Sequence, residues 1–410
     1  MKTESDYSYH TTPWWQLYYI GKWFRPMLRA ARSSGLEEYF AKMDFEFADP
    51  PLSKSEEVTI AATGDVMFRR EITEANGSKL WDEIGRDLFG ADLSIGNLEF
   101  SVNPDWLIEK LLRFSVPASF AMPLIGDDRF GRFDVFTLAN NHINDSLSKG
   151  IESTCDFVDS QGIARAGASK SREEQEQVTI LERGGAKIAV LAYTFSTNNI
   201  PLEPGFEHGT NVIRFNALDD ADFDPSLVLR HIEKAKQQGA DYIIACNHWG
   251  IDLEHYPPPR LVERAHQLLD AGVDLIIGHH PHVVGQMERY RTPDGRNCIV
   301  LYSLGNFTAR GLPFILQRLG QIAHVTLEVG VDSSGNRKVR PRKLTMTPIF
   351  HSQNRGPTGM SNRVISVNRA ARLIQDGKAP PHYTRKDIKA LQKLDRYYRE
   401  NFTFKGVFYR

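Results

Sequence analysis

Residues 275–285 read Leu-Ile-Ile-Gly-His-His-Pro-His-Val-Val-Gly. An uninterrupted apolar run this short has the length of a strand covered on both faces, and here it ends in histidines around a proline. The pattern recurs along the chain. Val58–Gly64 runs into Asp65, Ala91–Gly96 into Asn97 and Glu99, and Phe133–Ala139 into Asn140-Asn141-His142. Tyr242–Cys246 runs into Asn247-His248, and Ile299–Tyr302 into a segment ending at Asn306. Singly, an Asp, Asn or His after a strand serves as a turn or cap residue. Jointly they point to one place, because the loops that follow parallel strands converge on a crevice at the carboxyl edge of the sheet. Carboxylate, carboxamide and imidazole together suit Mn, Fe or Zn rather than a thiolate centre.

Helical patterns at Ser148–Ser160, Pro225–Gln238 and Pro259–Ala271 alternate with these runs and with Ile188–Tyr193 and Ala323–Val329. That alternation predicts a layered α/β fold. Three regions follow: a helical aromatic and basic extension over 1–55, the α/β domain over 56–350, and a helical C-terminal appendage over 351–410. The appendage carries helical patterns at Arg363–Ile374 and Thr384–Glu400. In the first region Trp15, Leu17, Tyr18 and Tyr19 precede Lys22, Arg25, Arg29 and Arg32. Such a segment fits a helix packed on the main domain or one lying on a membrane surface.

The 410 residues carry 50 Lys+Arg against 51 Asp+Glu, a formal net charge of −1. With no basic excess, a nucleic-acid partner is not expected. The three cysteines, Cys155, Cys246 and Cys298, are odd in number and lie in apolar stretches, as reduced thiols would. No apolar run approaches the roughly 18 residues of a membrane span, and the start MKTESDYSYHTTPWW has no leader pattern. A cytoplasmic protein is expected, with peripheral membrane contact through the aromatic start as the variant.

The ordered blocks GDVMFRR (64–70), GNLEF (96–100), NNH (140–142), NHWG (247–250), GHHPHVVG (278–285) and YSLGNF (302–307) resemble the poly-γ-glutamate capsule biosynthesis family of the CapA/PgsA type. The resemblance covers about residues 57–310 and implies a calcineurin-like metallophosphoesterase fold, a β-sandwich flanked by helices. It further implies one or two divalent metal ions (Mn, Fe or Zn) held by Asp65, Glu99, Asn141, His248, His280 and His282. His142 is implied as the group that assists the leaving group, with Arg70 gripping an anionic substrate. Asn97, Asp252 and Asn306 are expected to line the substrate pocket. Two departures stand out. Met67 occupies the place of the histidine in the usual D-x-H block, and Asp252 stands where the family typically has glutamate.

Two divalent ions against the charges of Asp65 and Glu99 leave the pocket at about +2, which favours anions. A metal-bound water supplies hydroxide near neutral pH, and a histidine such as His142 can protonate the departing atom. The expected function is therefore metal-dependent hydrolysis of an anionic substrate in the making or processing of poly-γ-glutamate or a similar polymer. The alternative is a non-catalytic, metal-dependent polymer-binding subunit partnering a membrane-associated synthase.

Overall fold

The computed structural model describes residues 21–22, 28–105, 108–110, 113–308, 315–356 and 359–410. The aromatic stretch Trp15–Tyr19, with its candidate membrane contact, lies outside the described residues.

All the apolar runs are strands, and they sort into two sheets by which face each residue buries. The larger sheet runs Gly359–Ser366, Arg337–Gly356, Leu319–Val331, Ser53–Val66, Leu93–Leu98, Val135–Thr137 and Ala164–Ala166 in spatial order. The smaller runs Thr179–Arg183, Ala186–Thr194, Tyr242–His248, Leu275–His279, Asn297–Leu301 and Met287–Arg291. Successive strand residues point to opposite faces. Val58, Ile60, Leu93 and Ile95 therefore meet Ile188, Val190, Ile244 and Ile277 between the sheets. The alternate residues face outward. Phe136 and Leu138 lie under the helix Leu147–Ser160, and Ile243, Ala245 and Ile276 lie under helices Ser226–Gln237 and Pro259–Ala271. The result is a four-layer helix–sheet–sheet–helix sandwich, with the three cysteines free and buried.

Parallel pairing sets the ends of the central strands on one edge. Ile60 pairs with Leu93 and Ile95 with Val135 in the larger sheet. In the smaller, Cys246 pairs with Ile277 and Ile277 with Leu301. Two glycines permit the crowding at that edge. A Cβ at Gly64 would sit 2.0 Å from the Gly305 carbonyl oxygen, and one at Gly278 would sit 2.0 Å from that of Tyr302.

The strand Arg337–Gly356 runs through position 350, the boundary expected from sequence, and Ile349 pairs with Ser366 on the next strand. Residues 363–366, expected to begin a helix, are strand. Val364 and Ile365 explain this: adjacent β-branched residues bury on opposite faces, one against each neighbouring core. Helices Val367–Gln375 and Arg385–Asn401 then pack on Phe350 and Ile365. At the other end, Leu36 and Phe40 of the helix Leu36–Ala41 pack on the smaller sheet's outer face. Among the described residues no helix is long and apolar enough to cross a membrane.

Candidate metal centre

Asp65 sits where the strand Ser53–Val66 breaks register with both parallel neighbours, an irregularity that re-aims a side chain. Its Oδ1 accepts from Asn97 Nδ2 at 2.8 Å and its Oδ2 from the His280 backbone N–H at 3.2 Å. Glu99 follows the strand Leu93–Leu98 and is fully buried, and neither of its carboxylate oxygens has a hydrogen-bond partner. Its Oε1 lies 3.6 Å from His248 Nε2 and 3.5 Å from His282 Nε2. His248 Nε2 is also 3.0 Å from Asn141 Oδ1. The ring centroids of His248 and His280 are 5.0 Å apart, and those of His280 and His282 are 6.0 Å apart. The six residues expected to hold metal thus meet at one place.

These spacings test whether the residues suit an ion. A separation of 3.5–3.6 Å is too long for a hydrogen bond. It is close to the ~3.4 Å between two ligand atoms on a tetrahedral ion with bonds of about 2.1 Å. Two triads have ligand atoms mutually within 4.8 Å: Asp65–Glu99–His282 and Asp252–His280–His282. Buried oxygens without donors and imidazoles at this spacing suit a divalent cation.

The amide residues sort by role. Asn140 is structural, its Nδ2 donating to the Leu98 carbonyl at 2.8 Å, whereas Asn141 faces His248. Asn97, expected at the substrate wall, is turned onto Asp65 and accepts from Thr137 Oγ1 at 3.2 Å. Asn306 Oδ1 lies 2.9 Å from His282 Nδ1, while its Nδ2 donates to the Gln317 carbonyl. With an acceptor oxygen there, Nδ1 carries the proton and the Nε2 lone pair is left for a metal. His279 Nε2 reaches back to the Thr63 carbonyl at 3.1 Å, a structural contact. Asp252 Oδ1 lies 3.6 Å from His280 Nε2. Arg70 is exposed in the turn that follows, and its buried neighbour Arg69 pairs with Glu71 at 3.2 Å.

His142 has a partner that sequence reasoning missed. Its Nδ1 is 2.8 Å from Asp145 Oδ2, both groups are buried, and Phe114 packs on the imidazole at 4.5 Å. The carboxylate fixes the ring and its tautomer, leaving Nε2 for proton transfer.

Charge coupling follows from this crowding. Burial pushes Asp65 upward, but the hydrogen bond and charge of His282, with His279 and His248, outweigh it and hold the carboxyl below its usual range. Burial and the neighbouring Asp65 charge push Glu99 well above its own. Burial would lower His282, yet Glu99 and Asp65 raise it well above an ordinary histidine. His248 goes the other way, lowered by burial and by His280.

Comparison with known proteins places the chain in a family. Capsule biosynthesis protein CapA of Bacillus anthracis is 27% identical over 270 residues, spanning 62% of this chain and 60% of that protein. PGA biosynthesis protein CapA of Bacillus subtilis is 30% identical over 176 residues, 43% of this chain and 42% of that one. The matched length is under two thirds of either relative. Among solved structures, the calcineurin-like phosphoesterase YfkN of Bacillus subtilis aligns with a TM-score of 0.42 at 15% identity, covering 84% of this chain and 98% of that chain. The model of the bacterial capsule synthesis protein family PGA_cap matches residues 59–310, more than half of the sequence and all six motif blocks, and the chain belongs to that family.

Proposed function

We propose that this protein is a metal-dependent hydrolase acting on an anionic substrate in the synthesis or processing of a capsule-type polymer such as poly-γ-glutamate. One observation carries the reading: a fully buried glutamate, Glu99, with neither oxygen hydrogen-bonded, lies within 3.6 Å of two imidazole nitrogens. Without a cation such a carboxylate is a costly defect. Asp65, Glu99, Asn141, His248, His280 and His282 would hold one or two divalent ions. When bound, the ions would supply Lewis acidity and an acidified water.

The chain's own groups do the rest. Asn97 and Asn306 keep Asp65 and His282 in place. Asp145 orients the His142 ring through Nδ1, which leaves Nε2 as the nitrogen whose proton can pass to the departing oxygen or nitrogen. The excess positive charge draws a phosphoryl or carboxylate group into the crater. Family membership and the capsule and PGA biosynthesis names of the two relatives support a polymer substrate, with a membrane-associated synthase as the fitting partner.

The test is hydrolysis of a phosphoester and of a γ-glutamyl peptide by the Mn²⁺-loaded protein. His142→Ala should lower kcat by about 100- to 10,000-fold while metal content stays the same. Turnover that survives this substitution intact would rule out the assigned chemistry.

A further inference from the structure

We propose that Asp252 is itself a metal ligand, on the His280 side of the centre, and that it makes anion binding conditional on both ion positions being filled. The inference rests on the metal-centre reading above and goes further, because it turns an expected substrate contact into a regulator of that site.

Spacing is the first argument. His248 and Glu99 stand 3.6 Å apart, and His282 and Glu99 stand 3.5 Å apart. Asp252 Oδ1 and His280 Nε2 show the same 3.6 Å separation. A carboxylate that merely oriented the ring would close to hydrogen-bond distance. Two ligands flanking one ion are held apart by it, at ~3.4 Å for bonds of about 2.1 Å.

Backbone geometry is the second. Leu253, His280 and His282 have φ values of 63°, 97° and 55°, a region non-glycine residues rarely occupy. The Leu253 N–H donates to the Pro281 carbonyl at 2.9 Å, between the two histidines. Leu253 is buried, so this contact fastens the Asp252 loop directly to the His280–His282 turn. Strain concentrated in two segments and cross-tied between them is the mark of an imposed geometry. Its product is the Asp252–His280–His282 triad.

The third argument concerns the Asp65 side. Met67 stands two residues beyond Asp65, and its backbone is pinned by Thr308, whose Oγ1 both accepts from the Met67 N–H and donates to its carbonyl, each at 2.8 Å. A thioether is a poor ligand for a hard divalent ion. The Asp65 side therefore lacks the donor that a D-x-H block would supply, and Asp252 adds one on the opposite side. The two positions should fill unequally, the His280 side first.

Charge then gives the consequence. Three carboxylates against one divalent ion leave the crater at about −1, and against two ions at about +1. An anionic substrate is repelled from the singly loaded form and attracted to the doubly loaded one.

The experiment is Mn²⁺ binding to the full chain by equilibrium dialysis, with the visible spectrum of the Co²⁺-loaded protein as a second readout. Asp252→Asn should weaken the tighter Mn²⁺ site by about 10- to 100-fold and change the Co²⁺ spectrum, and Asp252→Glu should restore both. Inorganic phosphate should bind wild type only at Mn²⁺ concentrations that fill the weaker site. In Asp252→Asn that extra Mn²⁺ requirement should disappear. Unchanged affinity and spectrum in Asp252→Asn would overturn the ligand assignment while leaving the metal centre intact. A wild-type protein that binds no ion would overturn both.

Discussion

Glu99 and Glu288 are both fully buried glutamates, yet the fold treats them in opposite ways. Glu288 accepts from the hydroxyls of Tyr39 and Tyr302, the latter at 2.6 Å, and pairs with His266 Nε2 at 2.6 Å. Every one of these donors is protein, and Tyr39 brings the N-terminal helix with it. Glu99 has no such donor and is ringed by imidazoles at 3.5–3.6 Å. One buried carboxylate is finished by folding. The other is left open by folding, as the proposed metal centre requires. A second polar region sharpens the contrast. The cavity of about 280 Å³ at the sheet edges is lined by Arg165, Thr179, Asn211 and His231, and each of these finds a protein partner. A polar cavity whose groups already satisfy one another is scaffold.

Apo-protein stability should break or keep this distinction most clearly. In urea titrations without metal, Glu288→Gln should cost about 3 kcal/mol, because the Tyr39, Tyr302 and His266 donors lose a charged acceptor. Glu99→Gln should instead stabilise the metal-free protein by about 1 kcal/mol, since it removes a buried carboxyl whose oxygens have no hydrogen-bond donor. Destabilisation by both would erase the contrast.

His255 offers a buried polar group that is satisfied but titratable. Its Nδ1 donates to the Val284 carbonyl at 2.5 Å, and its Nε2 accepts from Tyr397 OH at 3.1 Å on the C-terminal helix. Burial pushes its pKa down to about 4 from 6.5. The unfolded chain therefore binds the proton first, so stability is intact above pH 6.5 and drains away as pH falls towards 4. The loss is on the order of 3 kcal/mol. His255→Phe should flatten that part of the pH–stability profile, and an unaltered slope would point to another group.

Metal removal should register next. Mn²⁺ at a hundred times its Kd should add about 2.7 kcal/mol to wild-type stability and measurably less to Glu99→Gln, as thermal melts with and without chelator would reveal. Thr179→Val, at the sheet-edge cavity, should cost about 1 kcal/mol and leave ion binding untouched. A change in metal content there would mean the cavity is more than scaffold.

The sequence made the strand ends legible because each strand is a short apolar run that stops at a polar residue, a local signal. Asp65, Glu99, Asn141, His248, His280 and His282 could all be read that way. Asp145 could not, since it lies in the turn three residues beyond His142 and its role depends on how that turn closes. Phe114 was invisible for a different reason: its contact with His142 is made by a distant segment. The hydrogen bond of Asn97 to Asp65 is not legible either, because a strand-end amide looks the same in sequence whether it faces solvent or a neighbouring carboxylate. Beyond 350, the charged residues around Val364 and Ile365 suggested a helix, and only pairing with the long strand decides for sheet.

The crater draws Asp65, Glu99 and Asn141 from one sheet and His248, His280 and His282 from the other, across a seam filled largely by apolar side chains that carry no directional bonds. A cation seated there is a rivet through two plates. It would resist sliding of one layer over the other, so metal loading should slow amide exchange at the carboxyl tips of strands in both sheets together.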